Sequence, residues 1–239
     1  MIEAHLKKLR RRDEISAAEE AAIRGSIGEV RKVPADRVVV RAGEELSESL
    51  LLIDGWLARA RDLAVGLRQI TELHIPGDFA DLHSFTLKRL DHDVVAITPC
   101  TIAAVPHARL KEITEQHPHL TRVYWFTTNL DAAIHREWSV SLGRRPALAR
   151  LAHLFCEMRE RLDIVGMVDG SSFEFPLTQD EVGECLGLTS VHVNRTLQEL
   201  RGRNLVSLES RRLTIRDLDA LKQVADFDPS YLHLERKPR

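Results

Sequence analysis

Residues 177–206 read LTQDEVGECLGLTSVHVNRTLQELRGRNLV, and this stretch decides how the C-terminal part of the chain folds. Thr178 and Glu181 form the T-x-x-E pattern of a capping box, so a helix is predicted to begin there. Gly187 can adopt the left-handed conformation that ends this helix, and Thr189 can cap a second one. Two helices joined by a short turn that contains glycine are typical of a DNA-binding helix-turn-helix.

The second predicted helix has one buried and one exposed face. Val193 and Leu197 lie one turn apart and should pack inward. The side chains that should face outward, and that we expect to read DNA bases, are Ser190, Val191, Asn194 and Arg195. The residues at the two helix starts that we expect to contact phosphate are Thr178, Gln179 and Thr189. The alternative is that the two helices form a core element that contacts no nucleic acid.

The charge that follows the two helices favours DNA binding. From Arg201 to Arg216 the chain carries five arginines and one acid, Glu209. The segment V206-S-L-E-S-R-R-L-T-I-R216 alternates around a polar tip, which predicts a short hairpin, the wing of a winged helix. The candidate phosphate contacts are Arg203, near the end of the second predicted helix, and Arg211 and Arg212, within the hairpin.

Composition limits the classes of protein that the chain can belong to. It has 239 residues, 44% hydrophobic and 29% charged, and a net charge of −2, so DNA contact must come from local patches. The three cysteines, Cys100, Cys156 and Cys185, match neither a disulfide framework nor a zinc or iron–sulfur spacing. The chain contains no G-x-S-x-G motif and no P-loop, so we expect no enzyme. It also lacks a membrane-length apolar run and the apolar core of a signal peptide, which predicts a cytoplasmic protein without membrane contact.

The N-terminal half changes from helix to strand. Residues 3–24 are predicted to be helical, with a capped start at Ser16 and Glu19. A basic cluster, expected to be a solvated helix face, comprises Lys7, Lys8, Arg10, Arg11 and Arg12. Between about 30 and 110, short apolar runs such as Val38–Val40, Leu50–Ile53 and Val94–Ile97 alternate with turn signals. This spacing predicts a double-sheet jelly roll or barrel.

A long helix is predicted from Pro118 onward. A stripe at steps of three and four residues, suited to a coiled-coil seam and a parallel dimer, comprises Val123, Phe126, Leu130, Ala133 and Val140. The bulky residues off this stripe, some of which should pack on the barrel, are Tyr124, Trp125, Ile134 and Trp138. The alternative is the core helix of a monomer. Residues 143–146 (GRRP) mark a hinge. We therefore expect a sensor barrel over 1–116, a dimerisation helix and hinge over 117–143, and a DNA-binding domain over 144–239.

This order of parts resembles the Crp/Fnr family of bacterial transcription regulators. The resemblance rests on E44-E-L-S-E-S-L-L-L-I-D-G-W-L57, P76-G-D-F-A-D-L82 and L177-T-Q-D-E-V-G-E-C-L-G-L-T-S-V-H-V-N-R195. It implies an α+β fold with an N-terminal jelly-roll barrel of the cyclic-nucleotide-binding type, a long dimerisation helix and a C-terminal winged helix-turn-helix. It also implies a homodimer that binds a palindromic operator in double-stranded DNA, with RNA polymerase as a partner and an effector in the barrel.

Several residues depart from the family pattern for cyclic AMP. Members that bind cyclic AMP hold its ribose and phosphate with a Gly-Glu pair followed by an Arg-Ser pair. In this chain Asp81 could take the place of the ribose-binding acid, but the position expected for the phosphate-binding arginine falls near Leu90 and Asp91. Arg89 lies one residue away from that position, and on the long helix His135-Arg136 replaces the expected pair of hydroxyl residues. Cyclic-nucleotide binding is therefore not expected. The oxygen-sensing branch carries an N-terminal cysteine cluster, whereas this chain has no cysteine before Cys100.

The effector, if there is one, is unidentified, and no cofactor is assigned. The residues expected to line its pocket are Asp81, Leu82, His83, Ser84, Thr127, Thr128 and Asp131. A haem-responsive regulator that uses His74, His83 or His92 stays open as an alternative, as do a cyclic-nucleotide-responsive one and a barrel-based protein-interaction module without DNA binding. Many members carry a glutamate at the position of Val191, where valine could contact a thymine methyl group, so we expect at least one altered base per half-site.

Overall fold

The computed structural model describes all 239 residues, Met1–Arg239, in two units. The first comprises residues 1–61, 72–132 and 233–239, and the second comprises residues 62–71 and 133–232. None of the helices is both long enough and apolar enough to cross a membrane.

Two short helices begin the first unit, α1 (Glu3–Arg12) and α2 (Ala17–Gly25). The predicted capping box at Ser16 is confirmed, with reciprocal hydrogen bonds to Glu19. The region 3–24, predicted to be helical, consists of two helices that are separated at Asp13, where the backbone is extended (φ −150°, ψ 175°).

The basic cluster of α1 is not uniformly solvated, which corrects the sequence-based expectation. Lys8 and Arg12 are buried, and the Lys8 ammonium lies 2.5 Å from the Asp78 carboxylate. The cause is a close approach between α1 and the turn before Asp78. A Cβ on Gly77 would lie 2.6 Å from the backbone of Ala4, and Gly77 has φ +90°.

The β-sandwich, which belongs to the first unit apart from residues 62–71, has two sheets. Its strands are β1 (Val30–Val33), β2 (Val38–Val40), β3 (Glu48–Asp54), β4 (Leu57–Asp62), β5 (Arg68–His74), β6 (Asp93–Ala96) and β7 (Cys100–Pro106). One sheet has the order β1-β7-β3 and the other β2-β6-β4-β5, with a short helix α3 (Ser84–Leu87) between β5 and β6. The predicted double-sheet architecture is confirmed. Apolar side chains from both sheets fill the interior, among them Leu52, Leu57, Val94 and Ile102.

Helices α4 (His107–Gln116) and α5 (Pro118–Arg144) follow the sandwich. Part of the predicted seam on α5 is wrong: Val123 and Ala133 are 2% and 6% exposed, because they pack within the chain. Phe126 is covered by the C-terminal residues, with the Arg239 guanidinium 3.5 Å from its ring centre. Trp125, one of the bulky residues off the predicted seam, is 67% exposed.

The second unit contains the remaining helices and a small sheet. Its elements are α6 (Ala147–Val165), β8 (Val168–Asp169), β9 (Ser172–Glu174), α7 (Gln179–Leu186), α8 (Ser190–Gly202), β10 (Val206–Glu209), β11 (Arg212–Ile215) and α9 (Leu218–Ala225). The sheet has the order β10-β11-β9-β8, and a 3-10 turn at Pro229–Leu232 follows α9. Helix α6 supplies much of the core through Leu151, Phe155, Met158 and Leu162.

Candidate nucleic-acid interface

Helix α7 begins at the predicted cap. The Thr178 hydroxyl oxygen accepts from the backbone N–H of Glu181 at 3.2 Å, and the Glu181 carboxylate accepts from the backbone N–H of Thr178 at 2.7 Å. The Thr178 hydroxyl also donates to Glu181 at 2.8 Å, so its proton is already used. This cap satisfies N–H groups that a helix start leaves without partners.

The turn between α7 and α8 depends on two glycines. Gly187 ends α7 in the left-handed region, with φ +63°. Gly183 lies where the chain folds back, since a Cβ there would be 2.4 Å from the carbonyl oxygen of Leu188. The Thr189 hydroxyl then caps α8 by accepting from the backbone N–H of His192 at 3.3 Å. The sequence-based prediction of a helix-turn-helix over this stretch is confirmed.

Helix α8 exposes the side chains that the sequence places outward. Val191 is 78% exposed, Asn194 and Arg195 are exposed, and Ser190 is half-buried. The Arg195 guanidinium makes no hydrogen bond or ion pair within the chain. The opposite face packs into the core through Val193, Thr196, Leu197 and Leu200. The exposed face therefore carries an apolar side chain, an amide and an unpaired cation side by side.

Two of the predicted phosphate contacts remain available for a ligand, each in a different way. Thr189 is exposed, and its hydroxyl proton has no acceptor in the chain. Gln179 is also exposed, and its side-chain carbonyl accepts a hydrogen bond from the Asn194 amide at 3.3 Å. The Gln179–Asn194 contact joins α7 to α8 and could not be anticipated from either helix pattern alone.

The predicted wing forms as a hairpin of β10 and β11, with Val206 opposite Ile215 and Glu209 opposite Arg212. Its two tip residues, Ser210 and Arg211, have φ of +49° and +62°, as a two-residue hairpin turn requires. The Arg211 backbone carbonyl accepts from the Phe175 N–H at 2.8 Å, but the Arg211 guanidinium makes no hydrogen bond or ion pair within the chain, so its charge is free at the tip.

The other arginines around the wing are paired within the chain. Arg203 lies 2.5 Å from Glu199, and Arg212 lies 2.8 Å from Asp169. Arg201 donates to the Leu208 carbonyl, and Arg216 donates to the Asn204 side chain at 3.0 Å. Since the two surface ion pairs contribute little, Arg203 and Arg212 can exchange them for phosphate at small cost. Arg211 is the wing cation that needs no such exchange.

The predicted effector pocket contains side chains that already bond to one another. Asp81 and Ser84 are fully buried; Asp81 accepts from the backbone N–H of Leu50 at 2.6 Å and from the Ser84 hydroxyl at 3.3 Å. Burial raises the pKa of Asp81 to about 7, against the lowering effect of these hydrogen bonds. The Thr127 and Thr128 hydroxyls donate to carbonyls of their own helix, at 3.0 and 2.8 Å.

A buried arginine that sequence reasoning missed occupies the centre of this region. Arg59 on β4 is 2% exposed and lies 2.5 Å from Glu72 and 3.1 Å from Asp131. Its Nε also donates to the Ala80 carbonyl at 2.7 Å. The signal was the alternation of L57-A-R-A-R61, which places Arg59 on the same face as the buried Leu57.

These residues do not fit a cyclic nucleotide. Leu90, near the position expected for the phosphate arginine, is buried, and Asp91 beside it is an exposed acid. The side chain of Arg89 is 63% exposed and pairs with Glu45 on the surface. The cation that does lie inside, Arg59, is neutralised by two carboxylates, so a phosphate would have to displace them.

The barrel histidines do not converge on a metal site. The rings of His83 and His92 lie 5.5 Å apart, and burial, with the charge of Arg59, lowers the pKa of His83 to about 3. His74 is also buried. No group of three or more His, Cys, Asp or Glu side chains is arranged to hold a metal ion.

A winged helix-turn-helix with a capped, cation-bearing second helix, preceded by a double-sheet barrel and a long helix, defines a DNA-binding transcription regulator. The protein-family model of the Crp-like helix-turn-helix domain matches residues 149–224, and the family model of the cyclic nucleotide-binding domain matches residues 30–117. The chain belongs to the Crp/Fnr family of transcription regulators and is a DNA-binding regulator of that type.

Known relatives cover most of the chain. It is 27% identical to the transcriptional activator protein FnrL of Cereibacter sphaeroides over 203 aligned residues. The alignment covers 83% of this chain and 80% of the relative. The chain is 23% identical to the transcriptional activator protein anr of Pseudomonas aeruginosa, over 74% of this chain and 72% of the relative. Among solved structures, FixK2 from Bradyrhizobium japonicum has a TM-score of 0.76 at 21% identity, with 82% of this chain and 96% of FixK2 covered.

Proposed function

We propose that this regulator binds a palindromic operator as a homodimer, with the base edges read by Ser190, Val191, Asn194 and Arg195. The observation that carries the proposal is the exposed face of α8, where Val191 is 78% exposed beside the unpaired Arg195. Arginine can bond two acceptors of guanine at once, and valine can contact a thymine methyl group. Burying such an apolar side chain against a base removes it from water.

The phosphate contacts of the proposal surround α8. Thr189 and Gln179 lie at the two helix starts, and Arg211 lies at the wing tip, with Arg203 and Arg212 as weaker contributors. We assign Thr178 mainly to capping, because its hydroxyl proton is engaged by Glu181. Such contacts position the protein on any sequence, and the bases supply the selectivity.

Dimerisation is proposed to use α5. Trp125 is 67% exposed and Val140 is 50% exposed on this helix, and large apolar side chains left open on a regulator helix favour a protein contact. Two-fold symmetry of the dimer would then be mirrored in the operator. The division that this implies is a sensor barrel over 1–116, a dimerisation helix and hinge over 117–143, and a DNA-binding domain over 144–239.

The remaining parts of the proposal concern how the regulator acts. Relatives that carry the name of transcriptional activator support a role in activation, with RNA polymerase as the partner at the promoter. The protein would act by binding rather than by catalysis, in the cytoplasm where the chromosome lies. Control by an effector in the barrel would require the Arg59–Asp131 ion pair to rearrange.

Substitution of Arg195 tests the proposal. Arg195→Ala should weaken binding to the preferred operator by about 1–3 kcal/mol per half-site while the dimer mass in solution stays unchanged. Arg109→Ala, at an exposed position on α4, is the matched control and should bind as the wild type does. Equal binding by the Arg195→Ala variant would reject base reading by α8 and favour a protein-interaction module.

A further inference from the structure

We propose that Gln179 is a specificity-determining residue: its side-chain amide orients Asn194 so that Asn194 reads an adenine in each half-site. The inference rests on the proposed function, in which α8 reads bases. It changes the role of Gln179 from a phosphate contact alone to a residue that positions a base reader.

The starting observation is a hydrogen bond between the two helices of the motif. Gln179 is the first residue of α7, and Asn194 is the fifth residue of α8. The Asn194 amide nitrogen donates to the Gln179 side-chain oxygen at 3.3 Å, and both residues are exposed. The side chains of Ser190, Val191 and Arg195 have no such partner. Asn194 is therefore the outward-facing residue of α8 that another element holds in place.

Holding the amide matters because its two ends have opposite hydrogen-bonding character. The terminal torsion of asparagine is broad and roughly two-fold, so an unheld Asn194 presents oxygen or nitrogen to the groove. Adenine is recognised when the amide oxygen accepts from its N6 group and the amide nitrogen donates to its N7. A hydrogen bond to Gln179 restricts rotation about this torsion, so the amide meets the edge of the base in one plane with its donor and acceptor in fixed places.

The contact with Gln179 leaves the atoms for this recognition free. Asn194 uses one of its two amide protons on Gln179, so its oxygen and its second proton remain. If both amides were flipped by about 180°, Gln179 would donate to the Asn194 oxygen. That oxygen would keep its second lone pair, and both Asn194 amide protons would remain free. In either orientation Asn194 keeps one donor and one acceptor for adenine.

Local contacts hold the backbone around both residues in place, so the hydrogen bond between them can position Asn194. The cap formed by Thr178 and Glu181 fixes the start of α7 immediately before Gln179. The close approach of Gly183 to the carbonyl of Leu188 fixes the two helices against each other. Gln179 also retains its own amide protons, so it can bind a phosphate while it holds Asn194.

The test is selection of binding sites from randomised double-stranded DNA by the full-length protein. Wild type should prefer adenine at one position of each half-site, and Asn194→Ala should lose that preference, by about 5- to 150-fold at that base pair. Gln179→Ala should weaken the preference at the same position and leave the base read by Arg195 unchanged. Gln223→Ala, at an exposed position of α9, is the control and should select the wild-type site.

A second variant separates positioning from phosphate binding. Gln179→Glu keeps an oxygen that can accept from Asn194 but adds a negative charge near the DNA backbone. It should retain the adenine preference while its affinity for all sequences falls, most strongly at low salt. Thermal unfolding of each variant shows whether α7 and α8 remain folded.

Three results would overturn the inference. A Gln179→Ala variant that loses affinity equally for all sequences would leave Gln179 as a phosphate contact only. A Gln179→Ala variant that selects the wild-type site with full preference would show that Asn194 needs no positioning. If Asn194→Ala itself changes no base preference, the proposed base-reading role of Asn194 is also wrong, which distinguishes failure of the proposed function from failure of this inference alone.

Discussion

Val191 is the large apolar residue on the outward face of α8. Its 78% exposed side chain offers only apolar contact, whereas a glutamate would accept from a cytosine amino group. We predict that Val191→Glu moves the preference at one base pair of each half-site to a C·G pair. Binding to the wild-type site should fall by about 5- to 150-fold, as measured by titration of labelled DNA.

The matched control for this change is Leu87→Glu, because Leu87 is 63% exposed on α3, in the first unit rather than in the unit that contains the helix-turn-helix. It should keep the wild-type base preference. An unchanged preference in the Val191→Glu variant would show that Val191 contacts no base.

Asp81 makes stability depend on pH through its buried carboxyl group. Its pKa rises from 3.8 to about 7 on folding, so the folded state keeps a proton that the unfolded state releases. Stability from this group is therefore fully present below about pH 4 and is lost as pH rises through about 7. Asp81→Asn can still accept from Leu50 and contact Ser84. It should raise the free energy of unfolding at pH 8 by about 1–4 kcal/mol.

Denaturant unfolding of wild type and Asp81→Asn at several pH values checks this prediction. Asp163→Asn, at an exposed position of α6, is the control and should follow the wild type. A wild-type protein more stable than the Asp81→Asn variant at pH 8 would mean that the carboxylate is stabilised rather than destabilised by its surroundings.

Among the elements, the α7–α8 turn depends on the missing side chain of Gly183. Gly183→Ala would place a Cβ 2.4 Å from the Leu188 carbonyl, so we expect a loss of about 1–3 kcal/mol in the free energy of unfolding and weaker DNA binding. Gly202→Ala is the control within α8, because nothing lies within 4 Å of its Cβ position. It should be neutral or stabilising by up to about 1 kcal/mol, since alanine favours helix. Equal effects of the two substitutions would contradict the packing role of Gly183.

The elements that could be predicted from the sequence are those with local signals. The caps at Ser16 and Thr178 and the turn at Gly187 involve residues within four positions of one another, so their pattern is visible along the chain. The burial of Lys8 depends on Asp78, 70 residues away, and the burial of Arg59 depends on Asp131, 72 residues away. The alternation around Arg59 indicates which face its side chain lies on, but periodicity carries no information on the distant partner of either residue, so the two pairs could not be predicted.

The candidate site also combines features that have a local sequence signal with contacts that have none. The outward face of α8 follows from helical spacing and was predicted correctly as a face. The Gln179–Asn194 contact and the ion pair of Arg212 with Asp169 depend on how separate elements meet, and they appear only in the structure. The seam on α5 was partly wrong for the same reason, because residues 233–239, among them Arg239, cover Phe126.

For the whole molecule, the proposed dimer depends on the exposed side of α5. Trp125→Glu would place a charge where we propose an apolar contact between two copies, so the dimer should dissociate at least about tenfold more readily. Sedimentation at several protein concentrations measures this. Leu87→Glu, at a 63% exposed position on α3, is the control and should leave the dimer intact. A Trp125→Glu variant with wild-type association would place the dimer contact elsewhere.

The central claim is that two copies of α8 read a two-fold symmetric site. Selection of binding sites from random DNA by the wild-type protein tests it most directly. The account predicts two inverted half-sites with centres about 10–10.5 base pairs apart, one helical turn, or a multiple of that spacing. Enrichment of a single, asymmetric half-site, or no enrichment of any sequence, would contradict it.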